Sequence, residues 1–486
     1  MRRVSLTQRP WLAAVVTVVM LLAMLAQLPH LSDEAWEDEA ATLKLFAAQG
    51  PAHAFNDYSL PNNHILFNAA LSLWWSRGDS VSSARVVPAV SWLLGMLFML
   101  VCARPTLGWP ATTLGMALWS GSALTGVFAL ALRGYGFSWP WVLLVMFGAQ
   151  RYIVAGQRSA GLLYVCASFI CLAILPTNGM VVLVCVTWSA LLGMQTRGPA
   201  RREILVRALL ALPAGLLGAL VYLPHRAQLL AHMHSGFSRW SSAEVLGHWL
   251  LASSAQFWPL LPLMIYGAWL IRAGLPEHER QNGRSTLALA TSLSVIVPLA
   301  VLLSPTPLLP RALVPLLPVW CLAGGALLVP AISRLAVMWR WPVLQTLAAL
   351  ILICFALGRL MPACGGVQWK FPAGDDLCHQ FYRDNYRPAL LLQTTAQHYS
   401  GAKVLIESRE VWPMLFAHWN TRGLHVLLLD QESWRRTLAP DAPRWVISTS
   451  PVAARALAQQ VVAHQPRAVF QQLDSGMLKL YALDWE

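Results

Sequence analysis

Apolar runs of near membrane-spanning length follow one another through most of this chain, and no other feature constrains its fold so tightly. A helix needs roughly 20 apolar residues to cross the ~30 Å hydrocarbon layer of a bilayer. Eleven segments read as candidates: 11–29, 82–103, 109–131, 136–150, 160–176, 178–195, 207–224, 252–271, 286–303, 312–330 and 342–361. Composition agrees, with 57% hydrophobic and 12% charged residues where a soluble domain carries about 25% charged. The chain is therefore expected to be a polytopic α-helical membrane protein of about 11 transmembrane helices. Neighbouring spans are separated by little more than a Pro or an Arg at Pro176 and near Arg133, so either place can hold a re-entrant segment. No convincing small-residue cleavage site follows Met20–Leu28, so the first span is expected to stay as a signal anchor.

The net charge of +13 does not point to nucleic acid, because the basic residues form no stripe and sit in the short breaks between apolar runs. With the N-terminus cytoplasmic, fifteen arginines fall in the breaks on that side, against seven basic residues (Lys44, Arg77, Arg85, Arg133, Arg226, Arg239 and Arg311) in the opposite loops. This is the sense the positive-inside rule requires. A multi-pass protein of a bacterial-type cytoplasmic (inner) membrane follows, with its C-terminal tail extracytoplasmic if the span count is odd.

Carboxylates are rationed, and their placement is informative. Of the eleven acids before position 361, seven (Asp33, Glu34, Glu37, Asp38, Glu39, Asp57 and Asp79) fall in the first extracytoplasmic loop, 30–80. Juxtamembrane acids in an apolar chain mark function by default, so this loop is the expected active site. Two helices are predicted in it. One runs from Glu37 to Ala48 and ends at Gly50-Pro51; the other is an interfacial piece from Asn62 to Trp75 with Trp74 and Trp75 at the water boundary. The loop from His225 to Trp249, with four histidines, reads as solvated loop; His232 and His234 are spaced wrongly for a metal pair.

After Pro362 the composition changes, and residues 362–486 are expected to form a small extracytoplasmic α/β domain beside the membrane domain 1–361. Strands are predicted at Val404–Glu407, Val426–Leu429, Trp445–Ser448 and near 468–472 and 477–482, with helices near 376–399, 409–419 and 452–463. This tail has no Gly-rich phosphate loop and no nucleophile elbow, so it is expected to cover the site or bind an acceptor. Cys364 and Cys378 can form a disulfide if the tail faces an oxidising compartment, and no zinc-type His/Cys spacing occurs anywhere.

Five short motifs, in order, carry a family resemblance: Asp38-Glu39-Ala40 before a helix, Ser59-Leu60-Pro61-Asn62-Asn63-His64 before an apolar helix, Ala84-Arg85-Val86-Val87-Pro88-Ala89, Arg133-Gly134-Tyr135, and Pro310-Arg311 before Leu313-Val314-Pro315-Leu316-Leu317-Pro318. In this order they resemble the C-type (GT-C) superfamily of integral membrane glycosyltransferases, in the branch with bacterial relatives of protein O-mannosyltransferases and the aminoarabinose transferase of lipid A. Two positions depart from the pattern. Ala131 stands where many relatives carry an acid, which weakens a metal-bridged arrangement and admits a divergent or inactive member, and Ala312 replaces an aromatic.

The resemblance implies transfer of a sugar from a polyprenyl-phosphate donor to a glycan, lipid or protein acceptor on the extracytoplasmic face. Attack at the anomeric carbon needs a carboxylate to accept the acceptor's proton. Asp38 is the expected base and Glu39 its helper, with Asp33 or Glu34 as fallback; the competing reading makes Asp38 a first-turn acid favoured by the helix dipole. Arg133 and Arg311, supported by Lys44 and Arg85, are the expected phosphate ligands, because guanidinium forks match phosphate oxygens. The bland alternative for each is interfacial snorkelling. His64, Asn62 and Tyr135 are expected substrate contacts. No cofactor is expected to be required, although the acidic loop offers oxygen ligands to a divalent cation. A transporter of lipid-linked sugar or solute, or a non-catalytic scaffold, are the rival readings. Transporters usually show repeated halves, and a scaffold leaves the clustering of acids unexplained.

Overall fold

The computed structural model describes residues 27–32, 37–58, 63–76, 79–195, 199–234, 241–254, 260–275, 277–304 and 310–338, a few single residues between them, and five strands between 403 and 483. Two compact units divide the chain. The first comprises Met1–Pro29, Phe55–Phe67 and Arg85–Leu377, and the second comprises His30–Ala54, Asn68–Ala84 and Cys378–Glu486.

Among the described residues, five helices are long and apolar enough to cross a membrane: Val81–Leu107, Pro176–Met194, Ala200–Leu230, Glu279–Leu302 and Arg311–Leu335. Shorter apolar helices, Ile65–Trp74, Arg158–Ile174 and Leu261–Gly274, lie among them. Most of 11–29 and all of 342–361 fall outside the described residues.

The expected span 109–131 is not one helix. Trp109–Ser120 (α1) stops at Gly121, and a second piece, Ala123–Phe128 (α2), follows. At a 1.5 Å rise per residue the 12 residues of α1 reach only about 18 Å. Beyond α2 comes one tight turn of helix, Gly134–Phe137 (α3), and then Trp139–Ile153 (α4). The apolar count across this region is high because the whole bent path is buried, which hydropathy alone does not separate from a span.

Proline and glycine explain much of the helical packing. Pro110 and Pro140 sit in the first turns of α1 and α4, where a missing N–H costs nothing. Helix α1 packs along Leu317–Met338 (α5), and the approach is too close for side chains: a Cβ on Gly115 would lie 2.9 Å from Leu322 Cα. Small residues at such crossings let apolar helices gain dispersion contact where no water drives them together.

In the second unit, the expected helix from Glu37 is present as three successive pitches: α-helix Glu37–Ala41, a π-turn Thr42–Phe46 and a 3-10 turn Ala47–Gln49. Gly50 ends it at φ +91°, a conformation glycine tolerates without strain, and Pro51 starts a further helix to Asn56. Trp74 is exposed as expected, but Trp75 is buried and donates its indole N–H to the Ser80 carbonyl at 3.2 Å. The partner acceptor lets the ring leave the interface.

The same unit carries one sheet of order β2-β1-β3-β5-β4, built from Lys403–Ile406 (β1), Leu427–Leu429 (β2), Trp445–Ser448 (β3), Phe470–Ser475 (β4) and Leu478–Leu483 (β5). Strands β1, β2 and β3 are parallel, whereas β3–β5 and β4–β5 are antiparallel. Parallel neighbours need connections of a dozen or more residues, as the sequence between β1 and β2 and between β2 and β3 allows. The helices predicted there, and the Cys364–Cys378 pair, lie outside the described residues.

Candidate active site

Arg133 stands at the junction of α2 and α3 with an extended backbone, φ −142° and ψ 151°, and its side chain is only 1% exposed. Its N–H reaches back to the Ala131 carbonyl at 2.7 Å, so the position where an acid was expected by resemblance contributes main chain to the turn instead. The next N–H, of Gly134, donates to His64 Nδ1 at 2.9 Å. A backbone N–H can only donate, so His64 Nδ1 accepts and the neutral ring carries its proton on Nε2. The His64 ring meets Tyr135 edge to face at 4.9 Å, Tyr135 meets Phe128 at 5.5 Å, and the Arg133 guanidinium lies 5.7 Å from the Tyr135 ring centre. A cation near an aromatic face is favoured further when shielded from water.

Glycine is required twice in this turn. A Cβ on Gly134 would press on His64 and lie 2.7 Å from Ile174 Cγ2, and one on Gly136 would run into the Phe128 carbonyl. Behind the turn, Ser138 Oγ donates to the Gly134 carbonyl at 2.7 Å, Asn178 Nδ2 donates to Ser138 Oγ at 3.0 Å and to the Cys171 carbonyl at 2.7 Å, and Ser91 Oγ donates to the Phe137 carbonyl at 3.1 Å. These four hydrogen bonds, made by three buried side chains, together fix the backbone that carries Arg133.

Arg311 is buried in a 3-10 helix, Pro310–Leu316, packed against α3, and the Trp139 indole N–H holds the same helix through the Val314 carbonyl at 3.1 Å. The structure thus gathers Arg133, Tyr135 and His64 into one turn and sets the element bearing Arg311 beside it. Arg85 is buried near the start of Val81–Phe98 in the same unit. Burial of all three arginines argues against simple snorkelling, which keeps the charged head in water.

In the second unit, Asp38 and Glu39 are 9% and 1% exposed, in the first turn of Glu37–Ala41. Position alone suits a dipole-favoured acid. Burial does not, because an acid needed only to cap a helix gains nothing from being desolvated. Lys44, in the π-turn, is half-buried. Asn62 and the fallback acids Asp33 and Glu34 lie outside the described residues. Among the described residues no group of three or more His, Cys, Asp or Glu is arranged to hold a metal ion.

One part of the site runs against expectation. His225 was read as belonging to a solvated loop, yet it ends a 3-10 helix, Leu217–His225, and is buried. Its Nε2 lies 2.8 Å from the Phe55 carbonyl, so Nε2 carries the proton. Its ring stacks on Tyr58 at 5.7 Å and 28°, and Tyr222 meets Tyr58 edge-on at 5.7 Å and 83°. Tyr222 donates its hydroxyl to the Ala173 carbonyl at 3.3 Å. Tyr58, Tyr222 and His225, like Ser138 and Asn178, were not singled out from the sequence for the site. The one available signal was Tyr58's place in the acidic loop, six residues before His64.

Apolar helices of membrane-spanning length among the described residues define a multi-pass membrane protein, and its fold is one already seen in solved structures. In particular, the chain superposes on the crystal structure of ArnT from Cupriavidus metallidurans in the apo state with a TM-score of 0.55 and 14% identity, covering 97% of each chain. The same protein bound to undecaprenyl phosphate gives a TM-score of 0.55 at 13% identity, with 97% of this chain and 98% of that one covered. No family model and no curated protein sequence matches the chain.

Proposed function

We propose that this protein transfers a glycosyl residue from a polyprenyl-phosphate-linked donor to an acceptor hydroxyl or amine at the extracytoplasmic face of a bacterial-type inner membrane. The observation that carries the reading is the pair of buried guanidiniums, Arg133 and Arg311, on elements packed together in an apolar chain. A guanidinium presents a planar fork that matches phosphate oxygens, and in a membrane the phosphate at hand is that of a lipid. That ArnT, of the same fold, has been solved bound to undecaprenyl phosphate supports a polyprenyl phosphate over a phospholipid.

In the proposed reaction the acceptor's O–H or N–H attacks the anomeric carbon. The bond from that carbon to the phosphate oxygen breaks, its electron pair leaves with the lipid phosphate, and Arg133 and Arg311 stabilise the charge that develops there. Asp38 takes the acceptor's proton, Glu39 orients it, and Lys44 and Arg85 add positive potential. His64 and Tyr135 hold the Arg133 turn, and Asn62 is kept as a substrate contact. The tail 362–486 forms an extracytoplasmic domain that covers the site or receives the acceptor.

The test uses purified protein in nanodiscs. Asp38→Asn is expected to abolish transfer while leaving donor binding within about threefold of wild type. Arg133→Ala and Arg311→Ala are each expected to weaken polyprenyl-phosphate binding at least tenfold, since a hydrogen bond to a charged group contributes about 1.5–3 kcal/mol. Full transfer by Asp38→Asn would move the base elsewhere, and unchanged donor affinity in both arginine variants would refute the phosphate site.

A further inference from the structure

From the first turns of the helix Pro199–Leu216 and the surface below them we infer that this protein holds an anionic phospholipid, its phosphate seated by Arg202 and Arg207 and its acyl chain lying along Val206, Leu209 and Leu210. None of these residues belongs to the candidate active site, and the inference does not depend on the transfer reading.

Four observations carry it. First, a cavity of about 460 Å³ lies against this helix, lined by Arg202, Glu203, Val206 and Arg207, and small-molecule pockets run from about 300 to 1,000 Å³. Second, its charge is positive, because residues 201–207 carry three arginines, Arg201, Arg202 and Arg207, against the single acid Glu203. Third, Arg207 is held in place by the protein itself. Its guanidinium packs on Gly156, at φ +69° in a turn closed by the Gly156 N–H on the Tyr152 carbonyl at 3.0 Å and the Gln157 N–H on the Arg151 carbonyl at 3.2 Å. Its ion pair with the largely exposed Glu203 is 3.6 Å long, beyond hydrogen-bond reach, and its Nε–H finds no partner among the described residues, so the guanidinium is short of acceptors. Fourth, apolar surface continues from the cavity along one face. Val206, Leu209 and Leu210 are 47%, 72% and 58% exposed, whereas Ile204, Ala208 and Ala211 on the other side of the helix are buried.

Arg202 stands four and seven residues before Val206 and Leu209, so it crowns the same stripe of the helix. A cationic cradle above an apolar stripe matches a molecule with a phosphate at one end and hydrocarbon at the other; free phosphate would gain nothing from the leucines. The stretch Ala200–Leu230 is also the least buried of the five spanning helices among the described residues, which leaves its face to lipid. The charge distribution assigns the break before Pro199 to the cytoplasmic side, where anionic lipids meet basic pockets at helix ends. Snorkelling accounts for Arg202, which is exposed at the helix start. It does not account for Arg207, which lies about 7.5 Å further along the axis and is only 23% exposed.

The experiment titrates the full chain, purified in neutral detergent, with dioctanoyl phosphatidylglycerol and with dioctanoyl phosphatidylcholine, and reads apparent affinity from thermal stabilisation. Wild type is expected to prefer the anionic lipid about tenfold or more, and equal affinity for the two overturns the inference. Arg202→Ala and Arg207→Ala are each expected to weaken phosphatidylglycerol binding about fivefold while leaving phosphatidylcholine within about twofold of wild type. Arg202 is exposed and has little packing to lose, so its variant decides the matter even if Arg207→Ala folds poorly; unchanged preference in Arg202→Ala sinks the site. Arg158→Ala and Arg201→Ala remove the same charge from exposed positions that do not line the cavity and are expected to keep the preference within about twofold. A loss there as large as that of Arg202→Ala would show a diffuse charge effect and refute a seated headgroup. Inorganic phosphate, added as competitor at the concentration of the lipid, is expected to leave phosphatidylglycerol bound, and displacement as efficient as by the lipid itself would make the cavity a free-anion site.

Discussion

The hydrogen bond from Gly134 N–H to His64 Nδ1 allows a sharp test, because the two amide side chains each imitate one nitrogen of the ring. Asparagine places its oxygen near Nδ1 and can still accept from Gly134; glutamine reaches the Nε2 position and leaves Gly134 without its acceptor. The bond is 2.9 Å long and His64 is buried, so the orphaned N–H in His64→Gln has no water to turn to. Leaving a buried donor unsatisfied costs about 1–3 kcal/mol, and loss of the edge-to-face contact with Tyr135 costs about 0.5–1.5 kcal/mol more. Both variants lose the ring contact, but only Gln loses the acceptor. His64→Gln should therefore be less stable than His64→Asn by about 1–3 kcal/mol, even though Gln is closer to His in size. Thermal unfolding of the detergent-solubilised protein, followed by tryptophan fluorescence, reads the order. Equal stabilities, or Asn the less stable, would show that the turn does not depend on Nδ1 and would remove His64 as the residue that positions Arg133.

Two further outcomes follow from the same geometry. Gly136→Ala drives a methyl group into the Phe128 carbonyl and should cost about 1–3 kcal/mol in the same melt, whereas Gly247→Ala, inside a helix with open space around it, should leave stability unchanged or raise it by up to about 1 kcal/mol; equal effects would sink the packing argument. For Tyr58, the sign runs toward destabilisation in alkali: between pH 10 and about 12 the unfolded phenol ionises while the folded one keeps its proton, so stability falls across that window, by about 2–3 kcal/mol in total. Denaturant melts at pH 9 and pH 11.5 should show a shallower decline in Tyr58→Phe than in wild type, and identical slopes would mean that the hydroxyl is not buried in the folded protein.

The candidate residues were legible because the chain's charges are concentrated at few positions. In an apolar chain each charge is conspicuous, and Asp38, Glu39, Arg85, Arg133 and Arg311 stood out for that reason. All five are buried. The loop helices were equally plain, since Gly50-Pro51 ends one and apolar spacing marks the other. His225 was misread for a related reason: a break rich in histidine looks like solvent, and nothing local reveals a Phe55 carbonyl 170 residues away in sequence.

The linear order of residues determined that this chain enters a membrane, where its few charges concentrate, and which glycines and prolines interrupt its helices, because hydropathy and backbone stereochemistry act over a turn or two. Only the tertiary structure decided that 109–131 bends instead of spanning, that His64 grips Gly134, and that Tyr58 rests between Tyr222 and His225. Those contacts join segments distant in sequence, and an apolar run carries no record of whether its neighbours will be lipid or protein.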